Sequence, residues 1–210
     1  MTRLKTEQED FWASDFGDQY IERNRSSQLL ASNLQFFSRV LRYVQSVRSC
    51  LELGANIGMN LRALKLLFPA CRLSAVEVNA AAAKELQSQV PDAEVFTGAI
   101  QDFKVNDSSY ELVFTKGVLI HLNPNTLPET YEKMYRASRR YVLIAEYYNP
   151  APVAIPYRGH ENKLFKRDFA GEMLERYTDL HLVDYGFAYR RDPVFPQDDI
   201  SWFLLEKTAL

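Results

Sequence analysis

The sequence predicts an α/β fold. A mostly parallel sheet is covered by helices on both faces, with an antiparallel hairpin at one edge and helices leading into it. Three observations carry this. Short apolar runs alternate with amphipathic helical segments from about residue 50 to residue 147, the order that builds crossover connections and a parallel sheet. The last two strand-like runs, "LHLVDYGFAYR" and "ISWFLLEK", have no helical pattern between them, so they pair directly. Residues 7–45 keep a helical periodicity throughout, apart from the alternation that follows.

Each element has its own signal. Trp12, Phe16 and Tyr20 recur every fourth residue, and Leu29, Leu30, Leu34, Phe37, Val40, Leu41 and Val44 keep one helical face. We expect residues 1–45 to form a helical lid or extra layer, and residues 46–210 to form one ligand-binding domain. "CLELG" ends a first strand in glycine, and "GMNLRALKLLF" is an amphipathic helix stopped by Pro69. "RLSAVEV" is a strand, "AAAKELQSQV" a helix ending at Pro91, and "AEVF" a third strand. "YELVFTK", a helix near 126–138, "RYVLIAEY" and a helix over 166–177 complete the alternation. The connection "RDPVFPQDD" reads as an exposed loop, and 157–163 as a loop near the end of the fifth strand.

Composition narrows the function. The 210 residues are 47% hydrophobic, enough for a full core. With 25 basic and 27 acidic residues the net charge is −2, which argues against nucleic acid or an anionic membrane as partner. No apolar run reaches the roughly 18 residues of a membrane span, and "MTRLKTEQEDFW" lacks a secretory apolar core. Cys50 and Cys71 each precede an apolar segment and read as reduced, buried thiols, so a cytoplasmic location is expected. His121, His160 and His181 are far apart, and no metal site is expected.

"LELGANIGMN" sits where a doubly wound fold binds a nucleotide: strand, tight turn, helix N-terminus. Gly54 and Gly58 permit the turn, although two glycines also suit a purely structural one. Asn56 replaces the middle glycine of the dinucleotide motif, and no Gly-Lys-Ser/Thr follows. Glu77 ends the second strand 19 residues after Gly58, where a carboxylate accepts both hydroxyls of a ribose. "TGAIQDF" follows the third strand and can frame an adenine. Glu52 lies inside the first apolar strand, where a carboxylate needs a cationic or ammonium partner.

"LELGANIGMN", "AVEVN", "TGAIQDF" and "YELVFTKGVLIHL", in this order, resemble the class I S-adenosylmethionine (SAM) methyltransferases over residues 45–207. The resemblance implies a Rossmann-like seven-stranded sheet with its last strand antiparallel. "FWASDFGDQYIERN", "FTKGVLIHLNP", "EYYNPAPVAIPYRGHENKLFKRDF" and "DYGFAYRRDPVFPQDDISWFLLEK" are more narrowly similar to the pseudaminic-acid-biosynthesis-associated methylases. That group has relatives that cyclise SAM to azetidine-2-carboxylate and methylthioadenosine. The resemblance implies Gly54, Ala55, Asn56 and Gly58 along the methionine and ribose of SAM, with Glu77 on the ribose hydroxyls and Val78 beside the adenine. It implies backbone contacts at Ala99 and Ile100, where many members have an Asp at the position of Ala99. Lys116, Gly117 and His121 would lie near the methionine and substrate. Tyr20 and Arg23 of the lid are candidates for capping the cofactor and pairing with its carboxylate.

Methyl transfer from a sulfonium needs alignment, a dry chamber and, for a protonated acceptor, a base. Tyr147, Tyr148, Asn149 and Tyr157 supply aromatic faces and acceptors at the end of the fifth strand. His160 is the candidate base, or else a surface histidine. Arg158, Lys163, Lys166 and Arg167 suit an acidic substrate or form a solvated patch. "YYNP" looks like the Asn-Pro-Pro-aromatic grip of nucleic-acid methylases, but it follows the fifth strand instead of the fourth. The expected function is methyl transfer from SAM to a small polar metabolite of sugar or amino-acid type. The alternatives are SAM cyclisation without a second substrate, with Tyr147, Tyr148, Asn149 and Tyr185 around the amine, and a non-catalytic SAM-binding role.

Overall fold

A computed structural model describes residues 5–208. Residues 1–4 and 209–210, the outer ends of the two expected regions, lie outside the described residues. The chain opens with α1 (Glu7–Trp12), α2 (Asp15–Ile21) and α3 (Ser27–Val40). It then alternates β1 (Ser49–Leu53), α4 (Met59–Leu67), β2 (Arg72–Glu77), α5 (Ala80–Gln89), β3 (Glu94–Thr97), β4 (Tyr110–Lys116), α6 (Leu127–Ala137) and β5 (Ser138–Glu146). After β6 (Val153–Tyr157) and β7 (His160–Lys166) come α7 (Phe169–Arg176), β8 (Leu180–Ala188) and β9 (Ile200–Lys207).

Seven strands form one sheet in the order β3-β2-β1-β4-β5-β9-β8. The first five are parallel, and β9 pairs antiparallel with both β5 and β8. The expected seven-stranded Rossmann-like sheet with an antiparallel edge is therefore observed. Its apolar strands are buried on both faces, as crossover helices require. Phe37, Leu61, Leu64, Leu112, Phe114 and Leu143 build the core under α3 and α4. Leu51, Val113, Met134, Val142, Ile144 and Met173 build the core under α6 and α7. Neighbouring residues of one strand serve opposite cores because successive side chains alternate.

The N-terminal block divides by burial. Phe36, Phe37 and Val40 bring α3 into the core layer beside α4. Helices α1 and α2 lie outside that layer, across the carboxyl ends of the strands. Ser14 separates them and starts α2. Thr6 caps α1 through a capping box with Glu9, fixing where the chain enters.

Residues 153–166, which include the loop expected at 157–163, are regular instead. They form a two-stranded antiparallel sheet, β6 with β7, closed by a two-residue turn. Arg158 and Gly159 have φ of +52° and +85°, the pair of positive angles that lets a hairpin turn follow the twist of its strands. Cys50 and Cys71 are buried and free. Among the described residues no helix is long and apolar enough to cross a membrane, and no cluster of three His, Cys, Asp or Glu side chains could hold a metal ion.

Candidate functional site

A cavity of about 540 Å³ opens at the carboxyl ends of β1, β2 and β4, between the sheet and α1–α2. Open α/β sheets bind ligands at this end because the strands fan out into helix N-termini there.

Its inner wall is the turn after β1. Gly54 and Ala55 both donate backbone N–H groups to the Val76 carbonyl, at 2.8 and 3.1 Å. Gly54 has φ +76°, and a Cβ on it would sit 2.6 Å from Val118 Cγ2, so only glycine fits. Asn56 takes a left-handed φ of +48°, a conformation asparagine tolerates. Gly58 serves a different purpose: a Cβ there would meet Leu86 Cγ at 2.8 Å. It holds α4 against α5 and does not line the cavity.

Glu77 lies at the end of β2, buried, with its carboxylate on the cavity. Its two oxygens accept from Asn56 N at 2.7 Å and Asn79 N at 2.8 Å. Each oxygen keeps a lone pair for a further donor. Burial raises its pKa, opposed by the N–H groups of Asn79, Asn56 and Val78. Val78, Ala99, Ile100 and Gln101 continue this wall. Gln101 is held by Thr130 Oγ1 at 3.0 Å.

Beneath the turn, Glu52 is fully buried. Asn60 Nδ2 donates to its Oε1 at 2.6 Å, whereas Glu52 Oε2 and Asn60 Oδ1 have no partner. Burial pushes the Glu52 carboxyl up to about 8. Lys116, at the end of β4, approaches Asn33 Oδ1 at 3.4 Å, and Gln197 donates to the same oxygen at 2.9 Å. Burial lowers the Lys116 pKa against the pull of Asp198, Glu52 and Glu146.

The outer half is aromatic and basic. Trp12 touches Tyr20, His121 and Tyr157, with ring centroids 5.3, 4.6 and 6.3 Å away. Tyr147, Tyr157, Arg158 and Asp198 complete the wall. The Tyr20 phenol is raised by burial first and then by Tyr157 and Asp198, and Tyr147 by burial and Asp198. Arg23 lies 5.9 Å from the Tyr20 ring and Arg158 5.5 Å from the Tyr157 ring. His121 Nδ1 is 2.6 Å from the Lys163 carbonyl. That oxygen can only accept, so Nδ1 carries the proton and Nε2 keeps its lone pair. Burial lowers the His121 pKa to about 4, and the ring stays neutral.

The structure gathers Tyr20, Arg23, Gly54, Ala55, Asn56, Glu77, Val78, Ala99, Ile100, Lys116, Gly117, His121 and Tyr147 on this one cavity. Besides Gly58, it leaves four expected residues out. Tyr148 follows Tyr147, so the alternation turns it outward; it is 42% exposed, near Phe203. Tyr185, 66% exposed, stacks on the outer face of the same phenylalanine. Asn149 Nδ2 donates to the Ala151 carbonyl at 2.6 Å and shapes the bend after β5. His160 begins β7 and packs on Phe11 and Phe16, outside the chamber, so the cavity histidine is His121. Of the other basic residues, Lys163 pairs with Glu7, Lys166 lies over Tyr147 and Arg167 pairs with Glu172. Only Arg158 of that group lines the cavity.

Sequence reasoning missed Glu146 and Asp198. Glu146 carried the same signal as Glu52, a carboxylate closing an apolar strand. Asp198 sits in a loop expected to be exposed, and nothing in its neighbours marked it.

Residues 50–140 match a family model described as a methyltransferase domain. No curated protein matches the chain. Among solved structures, the Burkholderia thailandensis 1,6-didemethyltoxoflavin-N1-methyltransferase, with its substrate and S-adenosylhomocysteine bound, is 11% identical with a TM-score of 0.71, covering 100% of this chain and 93% of that one. The Synechocystis magnesium protoporphyrin IX methyltransferase with bound SAM is 12% identical with a TM-score of 0.65, covering 99% and 100%. The plantazolicin methyltransferase BpumL, with a substrate analogue and S-adenosylhomocysteine, is 14% identical with a TM-score of 0.67, covering 96% and 94%. At these identities the likeness establishes the fold, which is that of the class I methyltransferases.

Proposed function

We propose that this chain, a class I methyltransferase in fold, uses SAM to methylate a small polar metabolite that carries an acid group. The observation that carries the reading is the division of one cavity into two kinds of wall. A backbone and carboxylate cradle meets an aromatic chamber bearing an arginine.

The cradle fits SAM. Glu77 has lone pairs free for ribose hydroxyls. Gly54, Ala55 and Asn56 present their backbone to the cavity. Asn60 and Lys116 line the cavity above the buried Glu52, and the unpartnered Asn60 Oδ1 beside the Lys116 ammonium suits the zwitterionic end of an amino acid. Bound SAM supplies an electrophilic methyl group on a cationic sulfur. The residues here exclude water, align the acceptor and stabilise positive charge with the faces of Tyr20, Tyr147 and Tyr157. Neutral His121 adds no charge beside that cation, and its Nε2 can take a hydrogen bond from the acceptor. Arg158, on the Tyr157 and Asp198 side of the cavity, makes no close salt bridge among the described residues and is placed to hold an acid group. Its left-handed φ suits Asn or Gly better than Arg, which favours a role for the guanidinium.

Cyclisation would use the cradle alone. Of the residues expected around the amine in that reaction, only Tyr147 faces the cavity. The test is product analysis by mass spectrometry. SAM alone is expected to give no methylthioadenosine, and S-adenosylhomocysteine is expected only when sugar acids or amino acids are added. Methylthioadenosine formed from SAM alone would overturn the transfer reading. Arg158→Asn preserves the turn and should raise the KM for the acid acceptor about tenfold with kcat little changed; an unchanged KM would remove the acid group from the proposal.

A further inference from the structure

Glu146 closes β5 and is 2% exposed. The sheet does not need a carboxylate there. Its position is explained by the loop after β4. Val118 N lies 3.1 and 3.0 Å from the two Glu146 oxygens, Leu119 N 3.1 Å from Oε1 and Ile120 N 3.4 Å from Oε2. Three consecutive backbone donors thus converge on one carboxylate, the arrangement of an anion-binding nest, at the start of the 3₁₀ turn Leu119–His121. The loop can bend this way because Gly117 takes φ +70°.

The loop held in this way touches the proposed cofactor cradle at both ends. The Val118 side chain fills the space beside Gly54 that excludes any Cβ there. Gly117, Val118, Ile120 and His121 all line the cavity. We infer that Glu146 is a positioning residue: its carboxylate holds the loop 117–121 in the shape that receives SAM, without touching the ligand itself. This rests on the proposed SAM reading. The charged and titratable groups around it are Lys116 from β4 and the Tyr131 phenol from α6. Burial pushes Glu146 up to about 7, so its ionised form, which accepts from all three N–H groups, is lost as pH falls below neutrality.

The experiment compares Glu146→Gln with the unaltered protein. It reads SAM affinity by calorimetry at pH 6 and pH 8, amide hydrogen exchange at Val118, Leu119 and Ile120, and Tm. Glutamine has nearly the same shape but turns an N–H₂ toward the donors. We expect roughly tenfold weaker SAM binding at pH 8, faster exchange confined to those amides, and a Tm that does not fall, because a buried charge is gone. The unaltered protein should bind SAM more weakly at pH 6 than at pH 8, and the Gln variant should lose that difference. Glu52 also titrates near this window, and the amide readout separates the two carboxyls, because only Glu146 accepts from Val118, Leu119 and Ile120. SAM affinity within twofold of the unaltered protein, or unchanged amide exchange, would overturn the inference. If the unaltered protein binds no SAM, the cofactor assignment fails instead, and the exchange measurement still tests the hold of Glu146 on the loop. Should Glu146→Gln fail to fold, the protection factors of Val118, Leu119 and Ile120 in the unaltered protein decide the question: lower protection at pH 6 than at pH 8 is expected, and equal protection at both would overturn the inference.

Discussion

At residue scale the site depends on carboxylates set into apolar strand ends. Glu77 differs from a surface glutamate because its oxygens already hold the turn after β1 and the entry to α5. Truncation would therefore damage the loop as well as the ligand contact. Glu77→Gln keeps an acceptor oxygen and removes the charge. We expect SAM affinity to fall by about 1.5–3 kcal/mol, read by calorimetry; a loss under twofold would mean that the ribose is held elsewhere. Gly54→Ala acts through shape. A methyl would meet Val118 Cγ2 at 2.6 Å on a left-handed backbone, costing about 3 kcal/mol in stability. Chemical denaturation measures it, and a Tm equal to that of the unaltered protein would show that the turn is free to move. Glu52 and Glu77 were legible in the sequence because a carboxylate inside an apolar run demands an explanation. Asp198 was not, since an acid in a polar loop demands none.

At element scale, the sheet was readable and the lid's partner was not. Strands buried on both faces leave continuous apolar runs, and β1, β2, β4 and β5 all show them. The β6–β7 ribbon has no covering layer: β6 is exposed along most of its length and contains Pro156, so it lacks the alternation that marks a strand. Its turn is Arg-Gly instead of Asn-Gly. The ribbon is ordered by tertiary contacts with α1. Gln8 Nε2 donates to the Asn162 carbonyl at 3.0 Å, Gln8 Oε1 accepts from Asn123 at 3.1 Å, and Glu7 pairs with Lys163. Asn79 ties the other side of the lid to the body, donating to the Trp12 carbonyl at 3.3 Å and to Asp18 at 2.8 Å. Trp12 joins the lid to the body and the ribbon through Tyr20, His121 and Tyr157. Trp12→Ala should thus speed hydrogen exchange in residues 5–25 and 153–166 together and leave β1 and β4 unchanged. Faster exchange in residues 5–25 alone would show that the ribbon stands without the lid.

At the scale of the whole molecule, a chain with balanced charge carries its electrostatic cost inside, and stability should record it. Glu52 and Glu146 have folded pKa values near 8 and 7 against an ordinary 4.5. Above the ordinary value the unfolded chain releases these protons while the folded chain keeps them. Stability therefore falls as pH rises from about 4.5 to 8. His121 has the opposite sign. Its pKa is lowered from 6.5 to about 4, so the unfolded chain binds the extra proton and stability falls as pH drops through that window. Buried Glu77 is raised as well and adds to the carboxyls, while Lys116, lowered by burial, has the sign of His121; the carboxyls outnumber these opposing groups. The expected result is a Tm that declines from pH 6 to pH 8 and levels off above it. Glu52→Gln removes the larger of the two carboxyl contributions while keeping a partner for Asn60. It should raise stability at pH 9 by on the order of 2–4 kcal/mol, or roughly 5–15 °C in Tm, with a smaller gain at pH 6. A calorimetric Tm that is flat from pH 6 to 8, or a variant with the same slope as the unaltered protein, would mean that Glu52 is charged in the fold. The ammonium partner that its orphan oxygen lacks would then have to come from the protein itself.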